Sequence, residues 1–169
     1  MFQYGGMSFV DFAHLNRGNI KNGILDYNRQ KTGTSMRLEV LDTAEAMYKE
    51  LAGERTGGSG YLFPFLSGTK NGHEAYLEYN AALSRFNRNL RMLKEVAGIA
   101  SDVTSYTIRH SFAMALKEQN VPIEMISELL GHKSIKTTQI YLRSFSLEKM
   151  TVVNKSCFEN VYNYMPEVG

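Results

Sequence analysis

Thr104-Ser105-Tyr106-Thr107-Ile108-Arg109-His110-Ser111-Phe112-Ala113 is followed by Leu129-Leu130-Gly131-His132-Lys133-Ser134 and then by Thr137-Thr138-Gln139-Ile140-Tyr141. Thr104 or Ser105 can cap a helix running to about residue 119, on which Tyr106, Arg109, His110 and Ala113 share one face. Pro122 suits a first helical position, residues 123–130 make a short helix, and Gly131 ends it. Ser134 caps a further helix that carries Tyr141. An arginine, an imidazole and a phenol at these intervals make a site that could attack a phosphodiester without a metal. Tyr141 would be the nucleophile. Arg109 and His132 would hold the non-bridging oxygens as negative charge builds on phosphorus.

Each residue also has a plainer reading. Tyr141 is one of ten tyrosines, and a lone tyrosine is usually core or surface. His132 after Gly131 can simply close a helix end. Arg109 can be an ordinary salt-bridged arginine. The combination is what argues for chemistry.

The same three segments resemble the tyrosine recombinase family, the phage and conjugative-transposon integrases. Arg109-His110-Ser111-Phe112-Ala113 is similar to the family's second arginine and its helix. Leu129-Leu130-Gly131-His132 is similar to its leucine-leucine-glycine-histidine signature. Thr137-Thr138-Gln139-Ile140-Tyr141, with Tyr141 nine residues after His132, is similar to the segment that delivers the nucleophile. The match is strongest over residues 104–145 and runs more weakly back to about residue 2.

That resemblance implies a fold and further roles. The fold is α+β, mostly helical, with a small antiparallel sheet. Lys31, in Gln30-Lys31-Thr32-Gly33, matches the hairpin lysine that protonates the departing 5′ oxygen; from spacing alone it is a surface hairpin lysine. Tyr106 stands where the family often has histidine. A phenol can donate to a phosphate oxygen but is a poor base at neutral pH. The family's first arginine is expected immediately before Gly6-Met7, and Gly5 stands there. Arg17 lies in a downstream polar loop and does not inherit the role.

The rest of the chain is read from its own residues. Its 169 residues suffice for one domain with a real core. One cysteine, Cys157, excludes an internal disulfide framework and a cysteine-rich zinc site. His14, His73, His110 and His132 lack zinc-ligand spacing, so no metal or cofactor is expected. No apolar run is long enough to span a bilayer and no secretory signal is visible, so a cytoplasmic setting is expected. A net charge of +2 permits nucleic-acid binding without demanding it. Arg29, Lys31 and Arg37 cluster around one hairpin, and Lys133 and Lys136 flank the site. Arg29, Lys133 and Lys136 are the candidate DNA contacts. Arg85, Arg88, Arg91 and Lys94 read as a solvated helix face.

Along the chain, Ser8 is expected to cap a short helix, with Asp11 completing a capping box. Residues 16–23 read as a polar loop. Residues 24–29 and 35–40 read as a hairpin turning through Lys31-Thr32-Gly33-Thr34. Asp42 opens a helix to about Ala52. Residues 53–60, with four glycines, read as a loop. Residues 74–97 read as a long helix whose apolar face is Leu83, Phe86, Leu90, Leu93 and Val96-Ala97.

The resemblance therefore implies a single catalytic domain over residues 1–169, a piece lacking the N-terminal DNA-clamping domain. Its implied activity is site-specific cleavage and rejoining of double-stranded DNA attachment sites through a 3′-phosphotyrosine. It implies a homotetramer on DNA and a monomer in isolation, with residues 147–169 either docking in trans or folding back on their own domain. Gly5 implies impaired cleavage. The alternative is a non-catalytic, integrase-derived DNA-binding protein. A type IB topoisomerase-like enzyme and a helix–turn–helix repressor are further rivals. The repressor leaves Tyr141 and His132 unexplained.

Overall fold

The computed structural model describes residues 1–52, 60–142, 150–152 and 155. Among them the order is α1 (Phe9–Ala13), a 3-10 turn (Arg17–Asn19), β1 (Ile20–Lys21), β2 (Ile24–Asn28), β3 (Ser35–Glu39), α2 (Asp42–Ala52), α3 (Gly72–Val96), α4 (Ser105–Glu118), α5 (Ile123–Leu129) and α6 (Ile135–Tyr141). The chain is mostly helical around one antiparallel sheet ordered β1-β2-β3. Residues 53–59 and most of the stretch from 147 to 169, with Cys157, lie outside the described residues.

The β2–β3 hairpin pairs Leu25 with Leu38 and Tyr27 with Met36. Side chains alternate across a strand, so Leu25, Tyr27 and Met36 turn to the core while Asp26 and Asn28 face water. Residues 16–23 are more than a loop. They hold the 3-10 turn and β1, which joins β2 through Asn22 and Gly23, both at positive φ (53° and 74°). That is the two-residue turn whose twist suits a hairpin, and the Asn-Gly pair is its signal in the sequence. β1 is only two residues long, too short for an alternation to be read.

The sheet, α1 and residues 62–63 enclose a core of Tyr4, Met7, Phe12, Leu15, Leu25, Tyr27, Met36, Val40, Ala44, Leu62 and Phe63. Phe9, Ala13 and Leu66 dock α1 against Ala82 on α3. Ala113, Ile126, Leu130 and Leu142 knit α4, α5 and the end of α6 together. α3 begins two residues before its expected start, after Asn71. Tyr79, Ala82, Leu83 and Phe86 are covered by the α1 cluster, and Leu90 is half-buried. Leu93 is 63% and Val96 88% exposed. At 1.5 Å per residue the helix is about 37 Å long and outruns the elements packed on it. Arg85, Arg88 and Arg91 are exposed, and Lys94 pairs with Asp102 at 3.3 Å. No helix among the described residues is long and apolar enough to cross a membrane.

Two caps differ from expectation. Pro122 occupies the position before α5 rather than its first turn. Ser8 makes no backbone cap bond; its hydroxyl donates to the Asp11 carboxylate instead. Asp11 is 2% exposed, and a buried carboxylate needs donors wherever they come from. Thr104 caps α4 as expected, accepting from the Thr107 amide at 3.2 Å. Asn87 on α3 accepts from the Ser105 amide at 2.8 Å, tying the start of α4 in place.

Candidate active site

The turn that ends α5 sets the site. The Gly131 amide donates to Glu128 O at 2.7 Å and the His132 amide to Ser127 O at 3.0 Å. These bonds close the helix end around a left-handed residue, and Gly131 has φ +61°. A Cβ at Gly131 would also lie 2.5 Å from Met36 Sδ and 2.6 Å from Arg29 Cδ. Glycine is required twice over, by conformation and by the close approach of the hairpin. The chain leaves this turn with His132 directed back over α4.

Arg109 lies buried on the inner face of α4, 7% exposed. Nη1 donates to Gly6 O at 2.8 Å, and Nη2 donates to Leu130 O. Nη2 also approaches His132 Nε2 at 3.5 Å. An arginine nitrogen only donates, so Nε2 is the accepting nitrogen of that ring. Nδ1 then carries the proton and donates to Thr138 Oγ1 at 2.9 Å. Thr138 is fully buried on α6, and its hydroxyl accepts from the tautomer that Arg109 sets. Burial first, then the charges of Arg109 and Arg29, push the His132 pKa down to about 4. The ring is neutral at pH 7.

Tyr141 ends α6 among rings. His110 lies 5.1 Å, Tyr106 5.4 Å and His132 5.9 Å from it between centroids, all edge-to-face. Its hydroxyl is buried without a hydrogen-bond partner among the described residues. Burial, and next the neighbouring Tyr106 phenol, raise its pKa; the positive charge of Arg109 works the other way. A partnerless buried hydroxyl is unfavourable by about 1–3 kcal/mol, and such groups concentrate where a protein is built to react. An open cleft of about 590 Å³ in front of it is lined by Tyr106, Thr107, His110, Thr137, Ile140 and Tyr141.

The structure thus brings together Arg109, His132, Tyr141 and Tyr106. Tyr106 is 62% exposed at the mouth, stacked on His110. Lys31 is exposed on the β2–β3 turn, and Lys133 and Lys136 are exposed beside His132 and on α6. Arg29 departs from expectation. It is 8% exposed and turned inward, donating to Leu130 O at 3.0 Å and Gly131 O at 2.8 Å. It also pairs with Asp11 at 3.3 Å. The inward turn follows from the buried Asp11 carboxylate, whose charge needs a partner. Gly5 has φ +66° and sits one residue from the carbonyl that receives Arg109. Its nearest neighbours for an added Cβ are Leu38 Cδ1 at 3.7 Å and Leu129 O at 4.0 Å, so a Cβ there would clash with neither. Among the described residues no group of three histidines, cysteines or carboxylates could hold a metal.

Sequence reasoning missed Thr138, the Gly6 carbonyl and the double use of Asp11. Thr138 has a signal, a hydroxyl on the same short helix as Tyr141 and one turn before it. The Gly6 carbonyl has none, because backbone acceptors are silent in a sequence.

Residues 3–148 match the family model described as the phage integrase family. The tyrosine recombinase XerC of Rickettsia typhi is 41% identical over 75 residues, 44% of this chain and 24% of that protein. XerD of Lacticaseibacillus casei is 41% identical over 69 residues, again 24% of its length. The matched stretch is thus about a quarter of each curated relative. The crystal structure of XerA recombinase superposes with a TM-score of 0.65 at 23% identity, covering 90% of this chain and 55% of that one. XerH bound to its difH substrate gives 0.64 at 19% identity, covering 90% and 44%. The family model takes in the sheet, α1 through α6 and every residue placed at the site. The chain belongs to the phage integrase family, and its fold is that of a tyrosine recombinase catalytic domain.

Proposed function

We propose that this chain is the catalytic part of a site-specific recombinase that cuts and rejoins double-stranded DNA attachment sites. The observation that carries the reading is the Tyr141 hydroxyl, buried without a hydrogen-bond partner among the described residues, beside Arg109 and His132. In cleavage, Tyr141 Oη bonds to phosphorus and the bond from phosphorus to O5′ breaks. The phenol proton passes to neutral His132. The imidazolium then donates to a non-bridging oxygen, with Arg109 holding the same phosphoryl group. Lys31 gives a proton to the leaving O5′. Tyr106 donates to a phosphate oxygen from the cleft mouth. Reversal of these steps rejoins the strand, and the phosphotyrosyl link conserves the bond energy. Lys133 and Lys136 contact the DNA backbone and carry no sequence information themselves. DNA as substrate agrees with relatives crystallised on DNA, XerH on difH and the Tn1549 transposon integrase on its transposon right end. Assembly is tetrameric on DNA and monomeric without it.

Cleavage is weakened by Gly5. A guanidinium fork binds two phosphate oxygens at once, and glycine supplies none. The alternative reading, a DNA-binding protein without catalysis, draws on the same glycine and on the raised Tyr141 pKa. A nicked duplex whose cleaved strand falls away separates the two. Denaturing gels would follow the chain, Gly5→Arg, and Gly5→Arg with Tyr141→Phe. A covalent band that needs Tyr141 supports the recombinase. DNA binding with no band from either Tyr141-containing protein supports the alternative.

A further inference from the structure

Arg29 connects three pieces of the proposed machinery. It follows β2 and stands two residues before Lys31. Its Nε donates to Asp11 Oδ2 at 3.3 Å, and its Nη1 donates to Leu130 O at 3.0 Å and Gly131 O at 2.8 Å. Asp11 accepts at its other oxygen from the Gln30 amide at 2.7 Å, so one carboxylate grips two adjacent residues at the end of β2, immediately before Lys31. The Arg29 stem packs where a Gly131 Cβ would stand, 2.6 Å from its Cδ. The Leu130 carbonyl that it holds is also the acceptor of Arg109.

We propose that Arg29 is a positioning residue for strand cleavage. Through Asp11 and the Gly131 turn it sets the hairpin that bears Lys31 against the helix end that bears His132. The proton donor and the phosphate-binding groups then keep one register. This rests on the reading of Lys31 as the proton donor. Lysine at 29 would keep the charge but lose the rigid fork that spans a carboxylate and two carbonyls.

A plain structural ion pair would act on folding, not on leaving-group departure, and sulfur chemistry tells the two apart. The full chain is given a nicked duplex selected from a random pool by binding. One version carries the ordinary phosphodiester, the other sulfur in place of the bridging 5′ oxygen. When Tyr141 Oη bonds to phosphorus, the P–S bond breaks with its electron pair on sulfur. The thiolate departs without a proton from Lys31. All proteins are also tested in the Gly5→Arg background.

Lys31→Ala and Arg29→Lys are each expected to lose roughly 10²-fold or more on the ordinary substrate, the scale of general-acid catalysis, and to recover most of it on the sulfur substrate. Recovery of Lys31→Ala without recovery of Arg29→Lys overturns the inference. So does unimpaired cleavage of the ordinary substrate by Arg29→Lys. If Lys31→Ala itself fails to recover, the reading of Lys31 falls and takes the inference with it. No covalent product from any protein in either background overturns the proposed function and the inference together. Should Arg29→Lys fail to fold by thermal melting, Asp11→Asn takes its place. It releases the hairpin and leaves the bonds to Leu130 and Gly131, and the same recovery is expected.

Discussion

Arg29 and Arg109 donate to the same oxygen, the carbonyl of Leu130. Two buried guanidiniums converge there, and Asp11 is the one carboxylate paired with either among the described residues. The pocket therefore holds an excess of positive charge before any substrate arrives. Burial first, and then that excess, lower the His132 pKa, and a phosphate entering the cleft would relieve the excess.

Tyr141→Phe is expected to stabilise the protein while abolishing any covalent product. The hydroxyl it removes is buried and has no hydrogen-bond partner among the described residues. Deleting it should add on the order of 1 kcal/mol in urea denaturation. Equal or lower stability in the variant would mean that the hydroxyl is satisfied in solution.

Stability should fall as the medium is acidified through the His132 range. The folded pKa is about 4 against 6.5 for a free imidazole, so the unfolded chain binds the proton more readily. This contribution is fully present above 6.5 and is lost as pH falls through about 4. For a half-buried ring, solvent screening holds it to about 1–2 kcal/mol. Melting curves of the chain and of His132→Asn should converge between those limits, and parallel curves would refute the assignment.

Gly131→Ala should cost about 2–4 kcal/mol. Roughly 1 comes from the left-handed backbone and the rest from the clash with Met36 and Arg29. Adding Met36→Ala should recover part of the packing loss and none of the backbone loss, measured as urea midpoints.

Gly5→Arg should cost about 1–2 kcal/mol, since an added Cβ meets Leu38 Cδ1 and Leu129 O at ordinary contact distances and the strain is conformational. If Gly5 is the defect, cleavage should rise by a factor within ~10³–10⁵, the range for a transition-state arginine in phosphoryl transfer. Single-turnover formation of the covalent complex measures it. An unchanged rate in a folded variant would remove Gly5 from the account.

The site was legible where function fixes residue type at fixed spacing. Arg109, His132 and Tyr141 could be read because caps and glycine stops mark out their three helices. The hairpin was legible from alternation. What stayed hidden depends on contacts between distant segments. Arg29 looks like any hairpin cation until Asp11 is found buried beside it. Leu93 and Val96 fit an apolar stripe, yet periodicity cannot say where the covering elements end. β1 was hidden by its own brevity, although Asn22-Gly23 marked its turn.

The bond from Arg109 to Gly6 spans 103 residues of sequence, and that from Arg29 to Gly131 spans 102. Contacts of such span form only after the chain has closed a very long loop. On a ribosome, Asp11, Arg29 and Lys31 are made long before the segment that must meet them. Neither a nascent chain nor one whose C-terminal helices have locally unfolded has Arg109, His132 and Tyr141 held against the N-terminal residues. Under the proposed function, strand cleavage is thereby confined to the finished fold.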